Sequence, residues 1–340
     1  MQPPSSAYEP DVGLNLHTHL EGCVRPETAA DLARTMDVPE PSGGWDAALR
    51  MKEPANLTVF LAHVAAAYPV LGAPDAMCRV AREAVEDAAA DGCDFLEIRF
   101  GPATHARADF SIPQVIAAAC EGLEDGRRAT GLVVGLVVCL LRHSEDETNL
   151  AVARAAAAAA GKGVVGLDVA GDELLFPSLA PYREPYSIAS AAGLGLTAHA
   201  AEAATGAAAV EAVATLGVTR IGHGSHIADD PATLAWAARE GIAIEVCPTS
   251  NVLTGTAPSV REHPLHAFLA AGCRVVLGDD NPINIGSRIS GEERRLVEEG
   301  GLTWEQVRGI HLTACDVVFT DESTRATVRA RLEDRPVDAT

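Results

Sequence analysis

Lysine is almost absent from this 340-residue chain: Lys52 and Lys162 are the only two. Arginine supplies the rest of 26 basic residues, against 47 acidic ones, and the formal net charge is −21. A body this acidic repels polyanions, which excludes nucleic acid and anionic membrane surfaces as natural partners. No stretch approaches the roughly 20 apolar residues that a membrane span needs. Met1 to Gly13 is polar and proline-containing, with no basic-then-apolar signal pattern. The eight cysteines are Cys23, Cys78, Cys93, Cys120, Cys139, Cys247, Cys273 and Cys315. They are scattered without a CxxC pair, which does not describe a disulfide scaffold. The expectation is a cytoplasmic protein with reduced thiols. A chain this long buries roughly three quarters of its unfolded surface and needs no staple to hold a core.

Eight short apolar runs end in polar or glycine residues: 14–19, 95–100, 132–141, 164–170, 194–198, 219–222, 242–246 and 274–278. Runs this short and this apolar suit strands buried on both faces. Helical stretches rich in Ala, Leu, Glu and Arg separate most of them, 76–90 and 149–160 most clearly. Strands alternating with helices imply parallel βαβ units, and eight units imply a TIM (β/α)8 barrel. The expected organisation is one catalytic barrel over residues 1–340, with its core at about 14–320. The long gap 21–94 is read as a helical insertion after strand 1, broken at 39–44. Within it, 56–68 is a helix with Phe60, Leu61 and Val64 on one face, and the insertion is a candidate lid. The tail 321–340 continues a final helix and frays near Pro336.

His17 and His19 form His-Thr-His at the end of strand 1, and side chains at i and i+2 of a strand share a face. His199 follows strand 5, His223 follows strand 6, and Asp279 and Asp280 follow strand 8. In a barrel these ends converge on one mouth, where active sites lie. Neutral imidazoles with a carboxylate suit Zn²⁺ or another borderline divalent ion. Such a set leaves room for a water whose pKa the metal lowers. Glu202, His223 and Asp280 can supply acid, base or orienting groups beside it.

These residues sit in an ordered set of motifs: His17-Thr-His-Leu-Glu-Gly22, Arg25-Pro-Glu-Thr28, Phe95-Leu-Glu-Ile-Arg-Phe100, Gly166-Leu-Asp-Val-Ala-Gly-Asp-Glu173, His199-Ala-Ala-Glu202, Arg220-Ile-Gly-His-Gly224, Glu245-Val-Cys-Pro-Thr-Ser-Asn251 and Gly278-Asp-Asp280. The set resembles the adenosine deaminase-type family of the amidohydrolase superfamily, over about residues 14–320. The resemblance implies one catalytic zinc per chain, held by His17, His19, His199 and Asp279. It implies that Glu202 protonates N1 of a purine ring. His223 and Asp280 would orient and deprotonate the attacking water, and His223 would stabilise the oxyanion. Gly171 would meet ring N3 through its backbone. The expected reaction replaces a 6-amino group by oxygen and releases ammonia. A carboxylated Lys or a carboxylate at the end of strand 4 would mark a two-metal site. Ala170-Gly171 stands there instead, favouring one metal.

Four departures bear on substrate identity. Glu21 stands where adenosine deaminases usually have the Asp that meets the ribose, which is more like the family's adenine and aminodeoxyfutalosine branches. Asn281-Pro-Ile-Asn284 follows Asp280 where the family has Pro at once and then an aromatic residue. Val64 replaces a second lid aromatic beside Phe60, and Ala201 replaces a usual Gly before Glu202. The default substrate is adenosine or a close 6-aminopurine nucleoside, and the alternative is aminodeoxyfutalosine, adenine or a modified adenine. Glu21, Gly171 and Phe60 are the candidate substrate contacts, with His143 an outside one. No phosphate-gripping cation accompanies the mouth motifs, so a neutral nucleoside or base is expected rather than AMP. Two further classes are a purine binder without turnover and an amidohydrolase of a cyclic amide. Other residues read structurally. Cys247 packs, Ser250 and Asn251 shape a loop, and Glu245 and Arg99 form a charge network under the site. His226, His263, His266 and His311 are structural or exposed, and 292–299 is a solvated helix face.

Overall fold

The computed structural model describes residues 13–334. Eight strands appear in chain order: β1 Leu14–His19, β2 Phe95–Phe100, β3 Val133–Leu141, β4 Val164–Ala170, β5 Gly195–Ala200, β6 Arg220–His223, β7 Ala243–Val246 and β8 Arg274–Leu277. Each pairs in parallel with the next in one sheet. The ring closes between its ends: Asp280 N–H donates to the His17 carbonyl at 2.8 Å, and His19 N–H to the Asp280 carbonyl at 2.6 Å. Helices flank the strands, so the architecture is the expected TIM (β/α)8 barrel. Strands β5 and β6 run one or two residues further than their apolar runs. His199 pairs opposite Gly222 and Ala200 opposite His223. The ladder thus carries polar residues to the rim, where apolarity no longer marks a strand.

Strand alternation divides the core. On β1, Leu14 and Leu16 point outward and pack with Ala314, Cys315, Val318, Val328 and Leu332. Burying each leucine is worth about 1.5–3 kcal/mol. Asn15, His17 and His19 occupy the other face. On β2, Leu96, Ile98 and Phe100 join the main apolar cluster, while Glu97 and Arg99 are fully buried on the barrel side. Close approaches depend on absent side chains. A Cβ on Gly278 would lie 2.4 Å from the His17 Cβ and 2.5 Å from its carbonyl oxygen. Glycine there lets β8 meet β1.

Between β1 and β2 lie α1 Pro26–Met36, α2 Gly44–Leu49, α3 Leu57–Ala65 and α4 Pro74–Ala90. The Asn56 side chain caps α3 by accepting from Val59 N–H at 3.0 Å. Phe60 and Val64 are buried in a small cluster with Met51 and Ile285, so α3 rests on the loop after β8. Leu61 is half-buried on the same side. The expected solvated face at 292–299 is corrected. Glu292 and Glu293 are buried, Glu292 accepting from Thr249 N–H at 2.8 Å and Glu293 lying 2.7 Å from His311 Nε2. Helical periodicity placed all four acidic residues outward, but buried N–H and imidazole partners draw two of them in. Helix Glu322–Glu333 ends the described chain, and Pro336 lies outside it. Among the described residues no helix is long and apolar enough to cross a membrane. All eight cysteines are free thiols.

Candidate active site

The mouth of the barrel brings His17, His19, His199 and His223 together. The His17 ring lies 4.7 Å from His199 and 4.8 Å from His223, and His19 lies 5.2 Å from His199. Carboxylates beneath two of the rings hold them. His17 Nδ1 is 2.7 Å from Glu245 Oε2. A carboxylate only accepts, so Nδ1 carries the proton and Nε2 presents a lone pair. That Nε2 is buried without a hydrogen-bond partner. His199 Nδ1 is 2.9 Å from Asp168 Oδ2. His19 Nε2 and His199 Nε2 face each other at 3.3 Å. Burial, with help from Arg99, holds His17 well below its ordinary value of 6.5. Burial, then the neighbouring His199, pushes His19 down to about 3. Burial also lowers His199, but the Asp168 carboxylate outweighs it and the net shift is upward.

The orienting carboxylates belong to an ion network in the barrel interior. Arg99 donates to Asp168 at 2.9 Å, to Glu245 at 2.8 Å and to the Leu16 carbonyl at 2.7 Å. Arg220 Nε donates to Glu245 Oε1 at 2.7 Å, its Nη2 meets Glu97 at 2.5 Å, and its guanidinium lies 3.7 Å from the centre of the Phe319 ring. All five charged side chains are fully buried. The expected Arg99–Glu245 network is therefore present, and it reaches two histidines.

The two adjacent aspartates separate. Asp279 accepts from Thr18 Oγ1, and burial raises its pKa to about 7. Asp280 Oδ1 lies 3.5 Å from His19 Nε2 and 3.8 Å from His17 Nε2. Ser250 Oγ donates to its other oxygen at 2.5 Å, and Asn281 Nδ2 to Oδ1 at 2.7 Å. Asp280, rather than the expected ligand Asp279, is the carboxylate that faces the imidazoles. β8 ends at Leu277, and Asp280 takes a left-handed φ of 54°, so strand alternation no longer aims these side chains. Ala201 (φ 54°) and His223 (φ 60°) are left-handed at neighbouring points of the rim. Such conformations concentrate at functional sites.

Glu202 enters the same space, its Oε1 3.7 Å from His223 Nε2. Its pKa is pushed up to about 8, first by burial, with His199 opposing and Asp280 and Glu173 reinforcing. Glu173 holds the loop around it by accepting from the N–H groups of Ala201, Ala203 and Ala204 at 3.0, 2.5 and 2.8 Å. The rise for His223 from Asp280 is smaller than the loss from burial, and its pKa falls to about 4.

A cavity of about 410 Å³ opens over these groups. Its wall includes His19, Glu21, Phe60, Gly171, His199, Glu202, His223 and Asp280, as well as His143 at the rim, and no Lys or Arg. Gly171 turns there with φ 112°. Glu21 Oε1 accepts from Gly101 N–H at 3.1 Å and lies 3.2 Å from His105 Nε2. His105, stacked on Phe100, and Tyr68, edge-on to it, are missed by sequence reasoning, because a His in a Pro-Ala-Thr-His turn carries no motif. Cys247 is fully buried and its thiol pushed well up by burial, as packing requires.

Within the described residues, two groups of donors have all ligand atoms within 4.8 Å: His17, His199 and His223, and His17, His19 and Asp280. The partnerless Nε2 of His17, and the Nε2 atoms of His17 and His199 each backed by a carboxylate on the far nitrogen, are what a borderline divalent ion requires. Lys52 and Lys162 are both exposed, and β4 ends without a carboxylate. The adenosine deaminase family model matches residues 13–335. An adenosine deaminase of Erwinia tasmaniensis is 35% identical over 324 residues, covering 94% of this chain and 97% of the relative. The chain belongs to the adenosine deaminase family. As a member, it is a hydrolase acting on C–N bonds other than peptide bonds, with a metal cofactor. An amidohydrolase of Burkholderia ambifaria with bound Zn superposes with a TM-score of 0.89 at 26% identity, covering 98% of this chain and 93% of the other. An adenine deaminase of Arthrobacter aurescens gives a TM-score of 0.88 at 24% identity, covering 96% and 98%.

Proposed function

We propose that the whole chain acts in the cytoplasm as a single zinc-dependent barrel enzyme that deaminates a neutral 6-aminopurine nucleoside, adenosine by default. One observation carries this reading: His19, His199, His223, Asp280 and Glu202 line a single cavity with no Lys or Arg in its wall, and His17 lies within ligand distance of the other imidazoles and Asp280. His17, His19, His199 and Asp280, rather than Asp279, would hold one zinc. Bound there, zinc supplies Lewis acidity that lowers the pKa of water at the site.

The chain's own groups do the rest. Glu202 holds a proton for N1 of the ring, which makes C6 electrophilic. Water oxygen adds to C6, its proton passing to an acceptor at the mouth, and ammonia leaves as the C6–N6 bond breaks. His223 stands beside the oxygen formed at C6, and Gly171 offers backbone to the far edge of the ring. Phe60, on α3, and Glu21 bound the sugar side. Without Lys or Arg in its wall, the cavity has nothing to offset a phosphate, which disfavours AMP.

The second reading is deamination of adenine, aminodeoxyfutalosine or a modified adenine. It draws on Glu21, whose Oε1 is already engaged by Gly101 and His105. An ammonia-release screen of zinc-loaded protein over aminopurines, pterins and pyrimidines tests both. Efficient turnover of adenosine with weak turnover of AMP is expected. A zinc-loaded protein inert toward adenosine overturns the default, and turnover confined to pyrimidines or pterins overturns both readings. Glu202→Gln should abolish turnover and keep zinc.

A further inference from the structure

A relay of hydrogen bonds runs from the backbone after β7 to His223, and its direction can be read from one amide. Leu265 N–H donates to His263 Nδ1 at 3.0 Å. A ring nitrogen that accepts bears no proton, so neutral His263 carries its proton on Nε2. That Nε2 lies 3.0 Å from Asn251 Oδ1, which accepts from it. Asn251 is thereby oriented with its amide nitrogen toward His223, and Nδ2 donates to His223 Nδ1 at 3.2 Å. The remaining proton of neutral His223 must then sit on Nε2, the nitrogen nearer Glu202. His263, Asn251 and His223 are all buried, at 2%, 0% and 2% exposure, so water cannot replace any link.

His17 shows the opposite arrangement. A carboxylate under its Nδ1 takes that proton and leaves Nε2 as a lone pair. An amide under His223 Nδ1 gives a proton and leaves Nε2–H. The partner below each ring decides whether its other nitrogen is a ligand or a donor.

We infer that His263 and Asn251 are positioning residues that lock His223 as its Nε2–H tautomer, so that His223 donates to the oxygen developing at C6 and neither removes the water's proton nor ligates the metal. The inference rests on the deaminase reading and deepens it. It divides the water-activating work: proton acceptance belongs to Asp280, and His223 stabilises negative charge. With His223 set aside as a donor, the remaining groups around His17 that would hold the metal are His19, His199 and Asp280.

The direct test is long-range proton–nitrogen NMR on protein labelled with ¹⁵N-histidine, zinc-loaded and metal-free, with His223 assigned by its loss in His223→Gln. Expected is an unprotonated Nδ1 and a protonated Nε2. A protonated Nδ1 in the wild type overturns the inference, whatever the substrate proves to be. Asn251→Asp is isosteric but can only accept, so it should move the His223 proton to Nδ1. Its kcat should fall by about 10²-fold, the loss typical of one oxyanion donor, with KM nearly unchanged and zinc retained. His263→Gln, whose amide still donates to Asn251, should keep more of the wild-type tautomer and kcat than His263→Leu. Unchanged kcat and tautomer in folded Asn251→Asp would also overturn the inference. If the substrate screen yields nothing, the deaminase reading fails while the wild-type spectrum still decides the relay.

Discussion

Arg99→Met offers a quantitative test of how the fold holds the site. Arg99 is fully buried and makes three hydrogen bonds, to Asp168, Glu245 and the Leu16 carbonyl. Methionine fills much of the volume but leaves two carboxylates without their shared cation. Removing one partner from buried ion pairs costs about 3–5 kcal/mol, because the remaining charge stays desolvated. Domains are stable by about 5–15 kcal/mol, so the loss is a large fraction. With an m-value of about 3 kcal/mol/M, the urea midpoint should drop by about 1–1.7 M. Asp168 and Glu245 orient His199 and His17. Metal affinity should therefore fall by about 10–100-fold as well, the usual result of disturbing the groups behind metal-binding histidines. Urea melts followed by circular dichroism, and competition with a chelator, measure both. A midpoint shift under about 0.3 M together with wild-type metal affinity would refute the claim that this network supports the site.

Asp280→Asn should lower metal affinity by at least about 10²-fold while Asp279→Asn leaves it nearly unchanged, as read by elemental analysis after dialysis. Equal losses would sink the distinction. Gly278→Ala should cost about 1–3 kcal/mol and metal affinity together, since its Cβ would meet the His17 backbone at 2.5 Å. Asp87 bridges Arg25, at 2.7 Å, and Arg288, at 2.8 Å. Burial would raise its pKa, but the two guanidinium groups outweigh it and hold the value below the ordinary 3.8. A depressed carboxylate contributes fully above its unfolded pKa and loses that contribution as pH falls through the folded value. Asp87→Asn should therefore cost about 2 kcal/mol at neutral pH and progressively less below about pH 4. A cost independent of pH would contradict the pairing.

Much of the molecule can be read from its residues. The runs at 14–19, 95–100 and 164–170 coincide with β1, β2 and β4. A short apolar run survives wherever both faces of a strand are dry. The His17 and His19 pair was legible for the same reason, since both lie inside β1. Asp279 and Asp280 were not. They lie past the end of β8 at Leu277, where φ at Asp280 and not strand parity decides which carboxylate turns inward. Asn251, His263, His105 and Glu173 were hidden differently. Each acts through a backbone or side-chain partner distant in sequence, such as Glu173 accepting from Ala203. No local pattern encodes a contact of that kind. Glu292 and Glu293 were misplaced because periodicity reports the polarity of a helix face, not the N–H groups waiting beneath it.

The seam between β8 and β1 has a consequence for biosynthesis. Asp280 stitches the ring shut through both its backbone groups, to His17 and His19, and the same residue turns its carboxylate toward those imidazoles. Closure and site formation are therefore one event, joining segments far apart along the chain. A nascent chain that has not yet released residue 280 holds the histidines on an open edge, unable to complete a centre. Contacts of such sequence separation form slowly and late. A chain ending before residue 280 lacks both the seam and the carboxylate that faces His17 and His19.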